Sequence, residues 1–138
     1  MNVRNCQIIE LPVFDDGFDG KLTFAEGLRT IPFEIKRVYY IYDLGKSESI
    51  RGKHAHKELS QVIFCVKGSY RLGLDDGFNR EEIFIDRPNM GVLLGPGLWH
   101  TMSGFSDDCV LVVFASDYFD ESDYIRDYDK FMSFVKPK

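Results

Sequence analysis

Cysteine is scarce in this 138-residue sequence, and its pattern excludes the usual cysteine-based frameworks. The three cysteines, Cys6, Cys65 and Cys109, are far apart and form no CxxC pair. An odd number at such wide spacing argues against a disulfide scaffold or a thiolate metal site. Cys65 and Cys109 lie within apolar runs, so we expect them to be buried as small hydrophobic residues.

Long apolar runs and clusters of positive charge are also missing. No segment approaches the roughly 20 apolar residues of a membrane-spanning helix. The opening residues, MNVRNCQIIELPVFDDG, lack the apolar stretch of a signal peptide, so we expect a cytoplasmic protein with no membrane partner. A formal net charge of −5 without a Lys/Arg run argues against nucleic acid as a partner. A small phosphorylated ligand remains compatible, because one or two arginines can hold it.

Aromatic and β-branched residues are plentiful, and they fall in short segments separated by turn signals about every ten residues. This pattern predicts an all-β sandwich or barrel in a single domain spanning residues 1–138. LGKSESIRGK (44–53) is predicted to be a polar loop, and PGLWH (96–100) a turn. The predicted strands are CQIIELPVF (6–14), GKLTFAEG (20–27), FEIKRVYYIYD (33–43), SQVIFCV (60–66), SYRLGLD (69–75), REEIFID (80–86), GVLLG (91–95) and CVLVVFAS (109–116).

The end of the chain departs from this pattern. Apolar residues there recur at helical spacing, which predicts a C-terminal amphipathic α-helix capped by Asp120 or Ser122. The residues that carry this periodicity are Tyr124, Ile125, Tyr128, Phe131, Met132 and Val135.

Two of the three histidines, His54 and His56, are one residue apart at the start of a β-like run. Side chains alternate between the faces of a strand, so both imidazoles are expected on one side. If that side is the concave interior of a barrel, the pair forms a site for a metal ion or for proton transfer.

The histidine pair belongs to a longer pattern that resembles the first cupin motif. HAHKELSQVIFCVKG has His-x-His, then Gln61, then Gly68 at the motif's spacing, and GVLLGPGLWH, ending at His100, is similar to the second motif. The resemblance implies a cupin jelly-roll β-barrel with a short C-terminal helix. Metal cupins use two histidines, a glutamate and a later histidine.

The glutamate position of that motif is occupied by Gln61. A neutral amide is a poorer ligand than a carboxylate for a divalent cation, which favours a site without metal. One alternative stays open: a metal-dependent cupin, such as a dioxygenase, that uses His54, His56, Gln61 and His100.

Three further stretches resemble one group of cupins more closely, the 3,4-ketoisomerases of dTDP-4-keto-6-deoxyglucose. These are IPFEIKRVYYIYD, RGKHAHKELSQV and the segment that contains ASDYFDESDYIRDY. The resemblance implies a homodimeric isomerase without metal or redox cofactor. It implies a reaction that moves the keto group from C4 to C3, for the synthesis of dTDP-linked 3-amino-3,6-dideoxyhexoses of surface glycans.

The predicted chemistry is a tautomerisation through an enediol, which needs groups that exchange protons near neutral pH. His54 and His56 are therefore predicted to be the acid/base pair, and the sequence leaves open which of them takes the C3 proton. Arg51 is predicted to bind the diphosphate, since a guanidinium gives two parallel hydrogen bonds. The full set of predicted substrate-binding residues is Arg51, Arg37, Tyr39, Gln61, Trp99 and His100.

The configuration of the product is predicted from His100. In the resembled group, histidine at this position goes with a galacto product, which is slightly favoured here. Asp19 stands where the resemblance implies an Arg or Tyr. A third function, non-catalytic sugar sensing, is disfavoured because both histidines of the pair are kept.

Overall fold

Two five-stranded antiparallel sheets pack face to face around an apolar core in a computed structural model that describes residues 1–45 and 48–137. The predicted all-β architecture with one C-terminal helix is confirmed. The sheets form an open sandwich: within the described residues no strand of one sheet is hydrogen-bonded to a strand of the other. No helix among these residues is long and apolar enough to cross a bilayer.

The first sheet has the strand order β1-β9-β6-β11-β4, and the second has the order β12-β5-β10-β7-β8. Strands β2 and β3 form a separate hairpin. The elements are β1 (Cys6–Glu10), β2 (Val13–Asp15), β3 (Lys21–Thr23), β4 (Arg37–Ile41), β5 (Arg51–His56), β6 (Gln61–Lys67), β7 (Tyr70–Asp75), β8 (Arg80–Ile85), β9 (Met90–Leu94), β10 (Trp99–Ser103), β11 (Val110–Ala115), β12 (Tyr124–Ile125) and α1 (Tyr128–Val135).

The core lies between the sheets and follows the alternation of the strands. Leu72 and Leu74 of β7 face Leu111 and Val113 of β11, and all four are at most 2 % exposed. Cys65 and Cys109 belong to the same core as free thiols, with 3.8 Å between their sulfur atoms. They are buried, as the apolar runs around them predicted.

The N-terminal region differs from the prediction of one strand over residues 6–14. The run divides at Pro12, which has no N–H to donate to a sheet ladder. Before it, β1 pairs with β9; after it, β2 pairs with β3 in a hairpin of its own. Phe14 and Phe18 of this hairpin are exposed.

The C-terminal helix is shorter than predicted, because a tertiary pairing competes for its first residues. Tyr124–Ile125 forms strand β12 against β5, and α1 begins only at Tyr128. Asp120 caps a 3₁₀ turn at Glu121–Asp123, whereas Asp127 caps α1 by accepting from the Lys130 amide. Strand β10 likewise includes Trp99 and His100, which were predicted to lie in a turn. Of the predicted loop over residues 44–53, Lys46 and Ser47 lie outside the described residues, and Arg51–Lys53 belong to β5.

Candidate active site

A β-bulge in β5 shapes the floor of the site. His100 of β10 is opposite His54, but the next residue, Thr101, is opposite Gly52, so Lys53 is the extra residue. Gly52 (φ +80°) and Lys53 (φ +54°) both have left-handed backbone conformations. A side chain at Gly52 would also meet the His100 carbonyl oxygen at 2.9 Å, which is why glycine is required there.

The bulge aims His54 and fixes its tautomer. The Gly52 carbonyl oxygen is 3.0 Å from His54 Nδ1, and because a carbonyl only accepts, Nδ1 carries the proton. Nε2 of neutral His54 is then a bare lone pair, with no hydrogen-bond partner among the described residues. Burial, followed by the neighbouring His56, lowers the pKa of His54 from 6.5 to about 4. A neutral imidazole with one free nitrogen can act as a base.

His56 is held differently, with both ring nitrogens engaged. Nδ1 is 3.0 Å from Asp123 Oδ2, and Nε2 is 2.8 Å from the Gln61 side-chain nitrogen. The Gln61 side-chain oxygen accepts a hydrogen bond from the Tyr39 hydroxyl. His56 and Gln61 are 2 % and 1 % exposed. Burial lowers the pKa of His56, partly offset by the Asp123 carboxylate.

His100 completes a cluster of three imidazoles. Its ring centroid is 4.6 Å from that of His54 and 6.1 Å from that of His56. Nδ1 is 3.3 Å from the Leu98 carbonyl oxygen, and burial holds the pKa of His100 well below 6.5. One nitrogen from each of the three rings lies within 4.8 Å of the others, so the cluster could hold a metal ion.

A cavity of about 320 Å³ opens above the histidines. It is lined by Arg37, Tyr39, Ile41, Arg51, Gly52, His54, Met102, Tyr124 and Arg126. Of two larger depressions, the one of about 550 Å³ lies elsewhere on the surface, and the one of about 600 Å³ shares Tyr124 and Arg126 with this cavity. His54 lines neither. We assign the site to the smaller cavity because the free His54 nitrogen and three arginines meet there.

Arg37 gives this cavity its preference for an anion. Its Nε and Nη2 are buried and have no hydrogen-bond partner within the described part of the chain. Native proteins rarely leave buried donors unpaired, so such a group indicates a missing ligand. The guanidinium stacks near the rings of Tyr39 and Phe119 at 5.2 and 5.7 Å, which orients it.

The structure places most of the predicted site residues around this cavity, with one exception. Arg37, Tyr39, Arg51 and His54 line it, and Gln61, His56 and His100 lie directly beneath. Trp99 points away from His100, because neighbours in a strand face opposite sides. Its ring packs against Tyr128 and Phe131 at 5.3 and 5.7 Å. Asp19 is exposed in the 3₁₀ turn Gly17–Asp19 and does not line the cavity.

Three residues of the segment ASDYFDESDYIRDY belong to the site and were missed from the sequence. Tyr124 covers the histidine pair, with ring centroids 5.0 Å from His54 and 4.4 Å from His56. Arg126 stacks on Tyr124 at 4.3 Å, and Asp123 binds His56. The segment was recognised as typical of the resembled group, but Asp120 or Ser122 was interpreted as a helix cap and Tyr124 as part of the helix. The group-specific character of the segment was the available signal.

Comparison with known proteins identifies related sequences and structures. Residues 4–136 match the family described as FdtA: WxcM-like, C-terminal. The chain is 53 % identical over 116 residues to the TDP-4-oxo-6-deoxy-α-D-glucose-3,4-oxoisomerase of Aneurinibacillus thermoaerophilus, covering 84 % of this chain and 83 % of that protein. A 3,4-ketoisomerase from Helicobacter canadensis has a similar structure, with 45 % identity, TM-score 0.90 and coverage of 96 % and 98 %.

A second solved structure is QdtA, a sugar 3,4-ketoisomerase from Thermoanaerobacterium thermosaccharolyticum in complex with TDP. It is 41 % identical, with TM-score 0.92 and 96 % of each chain covered. A family match over nearly the whole chain, together with these identities and shared folds, identifies the sequence group. The chain belongs to the FdtA family and, within it, to the cupin-fold sugar-nucleotide 3,4-ketoisomerases.

Proposed function

We propose that this protein moves the keto group of TDP-4-keto-6-deoxy-D-glucose from C4 to C3, in the synthesis of TDP-linked 3-amino-3,6-dideoxyhexoses. The observation that carries the proposal is the free Nε2 of half-buried, neutral His54 in a cavity that also holds Arg37, whose buried Nε and Nη2 have no hydrogen-bond partner among the described residues. A base beside an anion site is what proton transfer on a nucleotide sugar requires. The relatives' names supply the sugar.

In this proposal His54 is the base that takes the C3 proton. Loss of that proton from the carbon next to the ketone gives an enediolate, and its C4 oxygen takes a proton from the Tyr39 hydroxyl. The C3 hydroxyl then returns its proton to Tyr39, and protonated His54 delivers its proton to C4. One base can serve both carbons because they are adjacent. Burial raises the pKa of Tyr39, so the hydroxyl is protonated at neutral pH.

His56 has a supporting role in this scheme. Of the predicted acid/base pair, only His54 is proposed to exchange a proton with the sugar carbons. Both of its ring nitrogens are engaged, by Asp123 and Gln61, and its side chain is nearly inaccessible. We propose that it acts on the sugar's oxygens through Gln61 and Tyr39 rather than on C3 directly.

Three arginines are proposed to bind the diphosphate. Arg37 offers two buried donors that have no partner in the described part of the chain, and Arg51 adds an exposed guanidinium at the rim. Arg51 and His54 reach the same cavity although they are three residues apart, because the bulge at Lys53 offsets the alternation. Arg126 is paired with Glu121 at 2.7 and 2.9 Å, which holds it over Tyr124.

The proposal is tested by incubating the purified protein with TDP-4-keto-6-deoxyglucose in deuterated water. Deuterium is expected to replace the proton at C3 of the substrate while a 3-keto product accumulates, both followed by NMR. If neither exchange nor product exceeds the rate in buffer alone, the proposed function is wrong. The configuration at C4 of the product is read from the same spectra. We propose the galacto form, which the resemblance implies for a histidine at position 100.

Metal is expected to be dispensable, even though the three imidazoles are close enough to hold an ion. The fourth predicted ligand does not complete that set: the Gln61 oxygen is taken by Tyr39, and its nitrogen is turned to His56. Chelator-treated protein should isomerise the sugar as fast as untreated protein. Stoichiometric metal in the isolated protein, with activity lost on its removal and regained on its return, would favour the metal-dependent alternative.

The pH dependence of kcat/KM should report the low pKa of His54. A base works only when unprotonated, and in the free protein the pKa of His54 is about 4 instead of 6.5. We therefore expect kcat/KM to stay level as the pH falls through 6.5 and to decline only at clearly more acidic pH. The profile of kcat should be shifted to higher pH, because a bound diphosphate favours the charged imidazole. A kcat/KM profile that halves near pH 6.5 would contradict this assignment.

The working unit is proposed to be a homodimer. Within the part of the chain that the structure describes, the β2–β3 hairpin pairs only with itself. It exposes the large apolar residues Phe14, Phe18 and Leu22, joined by Phe24 and Leu28 just after it. An apolar patch of this kind marks an interaction surface, and a second copy of the chain would cover it. Light scattering at micromolar concentration should give a molar mass twice that of the chain. The Phe14→Asp variant should have a lower molar mass, because a charge in the apolar patch weakens the contact. A monomeric wild-type protein would refute the dimer.

A cytoplasmic location stays a prediction.

A further inference from the structure

We infer that Asp123 is a positioning residue for the reaction: its carboxylate fixes the proton of His56 on Nδ1 and so sets the direction of a buried hydrogen-bond chain that ends at Tyr39. The catalytic consequence rests on the proposed function. The direction of the chain rests on the contacts alone and can be tested without the substrate.

Asp123 is held firmly enough to impose a tautomer. Its Oδ1 accepts from the Glu58 amide at 2.8 Å, and its Oδ2 lies 3.3 Å from the Leu59 amide and 3.0 Å from His56 Nδ1. Its own carbonyl accepts from the Lys57 amide, which ties the 3₁₀ turn to the end of β5. A carboxylate only accepts hydrogen bonds, so His56 Nδ1 must donate.

The donor and acceptor of each remaining hydrogen bond follow from the bond between His56 and Asp123. With its proton on Nδ1, neutral His56 has a lone pair on Nε2, so the Gln61 amide nitrogen donates to it over 2.8 Å. The Gln61 oxygen is then turned to Tyr39 and accepts from its hydroxyl. The Gln61 amide and the His56 imidazole could each be turned either way in this series of hydrogen bonds. The Asp123 carboxylate can only accept, so it fixes the direction.

This direction matters because Tyr39 lines the cavity. While its proton is turned to Gln61 in the free protein, the lone pairs of its oxygen are available to the C3 hydroxyl of the sugar. In the proposed reaction the Tyr39 proton moves from Gln61 to the C4 oxygen, and the Tyr39 oxygen takes the proton that the C3 hydroxyl loses. The opposite direction would turn the Gln61 amide N–H onto the Tyr39 oxygen and weaken its capacity to accept. Asp123 thus acts on the reaction through three intervening side chains.

Asp123→Asn is the sharpest test, because it replaces one acceptor oxygen by a donor without changing size. The remaining oxygen can stay with the Glu58 amide, which places the new NH₂ against His56. Nitrogen-15 NMR of the three histidines should show His56 protonated on Nδ1 in the wild-type protein and on Nε2 in the variant. Turnover should fall about 10- to 100-fold, as for other residues that orient a catalytic group, with KM unchanged.

Asp120→Asn is the matched control. Asp120 caps the same 3₁₀ turn but does not touch His56, and Asn caps as well as Asp. It should keep wild-type turnover and the wild-type tautomer. Wild-type His56 protonated on Nε2 would overturn the inference even if Asp123→Asn failed to fold. So would wild-type turnover in Asp123→Asn, or an equal loss in the control. If wild-type protein did not isomerise the sugar, the proposed function would fail while the tautomer result still decided the hydrogen-bond direction.

Discussion

Replacing His54 by Asn is expected to lower the turnover of TDP-4-keto-6-deoxyglucose by at least about 10²-fold, the usual contribution of general acid–base catalysis. Asn keeps a polar side chain near the Gly52 carbonyl but cannot accept and return a proton near pH 7. Exchange of the C3 proton with deuterated water should disappear together with product formation. The dissociation constant of the nucleotide sugar should hardly change, because the arginines that hold the diphosphate are intact.

Lys53→Asn provides the control for this variant. Lys53 directly precedes His54 in β5 and is exposed. It has a left-handed φ of +54°, a conformation that Asn tolerates well. The same new side chain at this position should leave turnover at the wild-type level. If His54→Asn still exchanged C3–H at the wild-type rate, His54 would not be the base, and His56 would become the candidate.

Arg37→Met is expected to weaken the binding of TDP and to leave the free protein at least as stable. Two guanidinium nitrogens of Arg37 are buried without a partner among residues 1–45 and 48–137, so their desolvation destabilises the unliganded state. Met fills a similar volume without that cost. A hydrogen bond to a charged group is worth about 1.5–3 kcal/mol, so the dissociation constant of TDP should rise about 10- to 150-fold. Calorimetry measures the affinity and thermal unfolding the stability.

Arg71→Met is the control and should change neither the affinity for TDP nor the stability of the free protein. Arg71 lies on the outer side of β7, where it forms an exposed ion pair with Glu82 at 3.4 Å, and such surface pairs contribute little. The assignment of the anion site would be contradicted if Arg37→Met bound TDP as well as the wild-type protein. A large loss of stability in Arg37→Met would show instead that Arg37 supports the fold.

The sequence predicted most of the strands because their alternation is local. Segment 69–75 has the period of two that a half-buried strand needs, and segment 60–66 is a short apolar run of the kind found in strands buried on both faces. The structure has β6 and β7 within one residue of these bounds. The histidine pair was found for the same reason, since its spacing and the motif around it lie in one short stretch.

The rest depends on contacts between distant residues. Asp123 reaches His56 across 67 positions, and nothing local distinguishes it from Asp120, which is a cap. Tyr124 carries a helical periodicity that the pairing of β12 with β5 overrides. Trp99 was predicted to bind the substrate together with His100, its neighbour in the sequence. Once that segment is a strand, adjacency puts them on opposite sides.

The bulge at Lys53 makes the length of β5 as important as its composition. Deleting Lys53 would still leave Arg51 and His54 on the same face by ordinary alternation, now two residues apart, so the pattern of polar and apolar residues would look intact. The left-handed pair that brings the Gly52 carbonyl to 3.0 Å from His54 Nδ1 would be gone. With no acceptor to hold the proton on Nδ1, the imidazole could place it on Nε2, the nitrogen that must be free. A single-residue gap in this strand would therefore cost the base its function while every recognised motif residue remained.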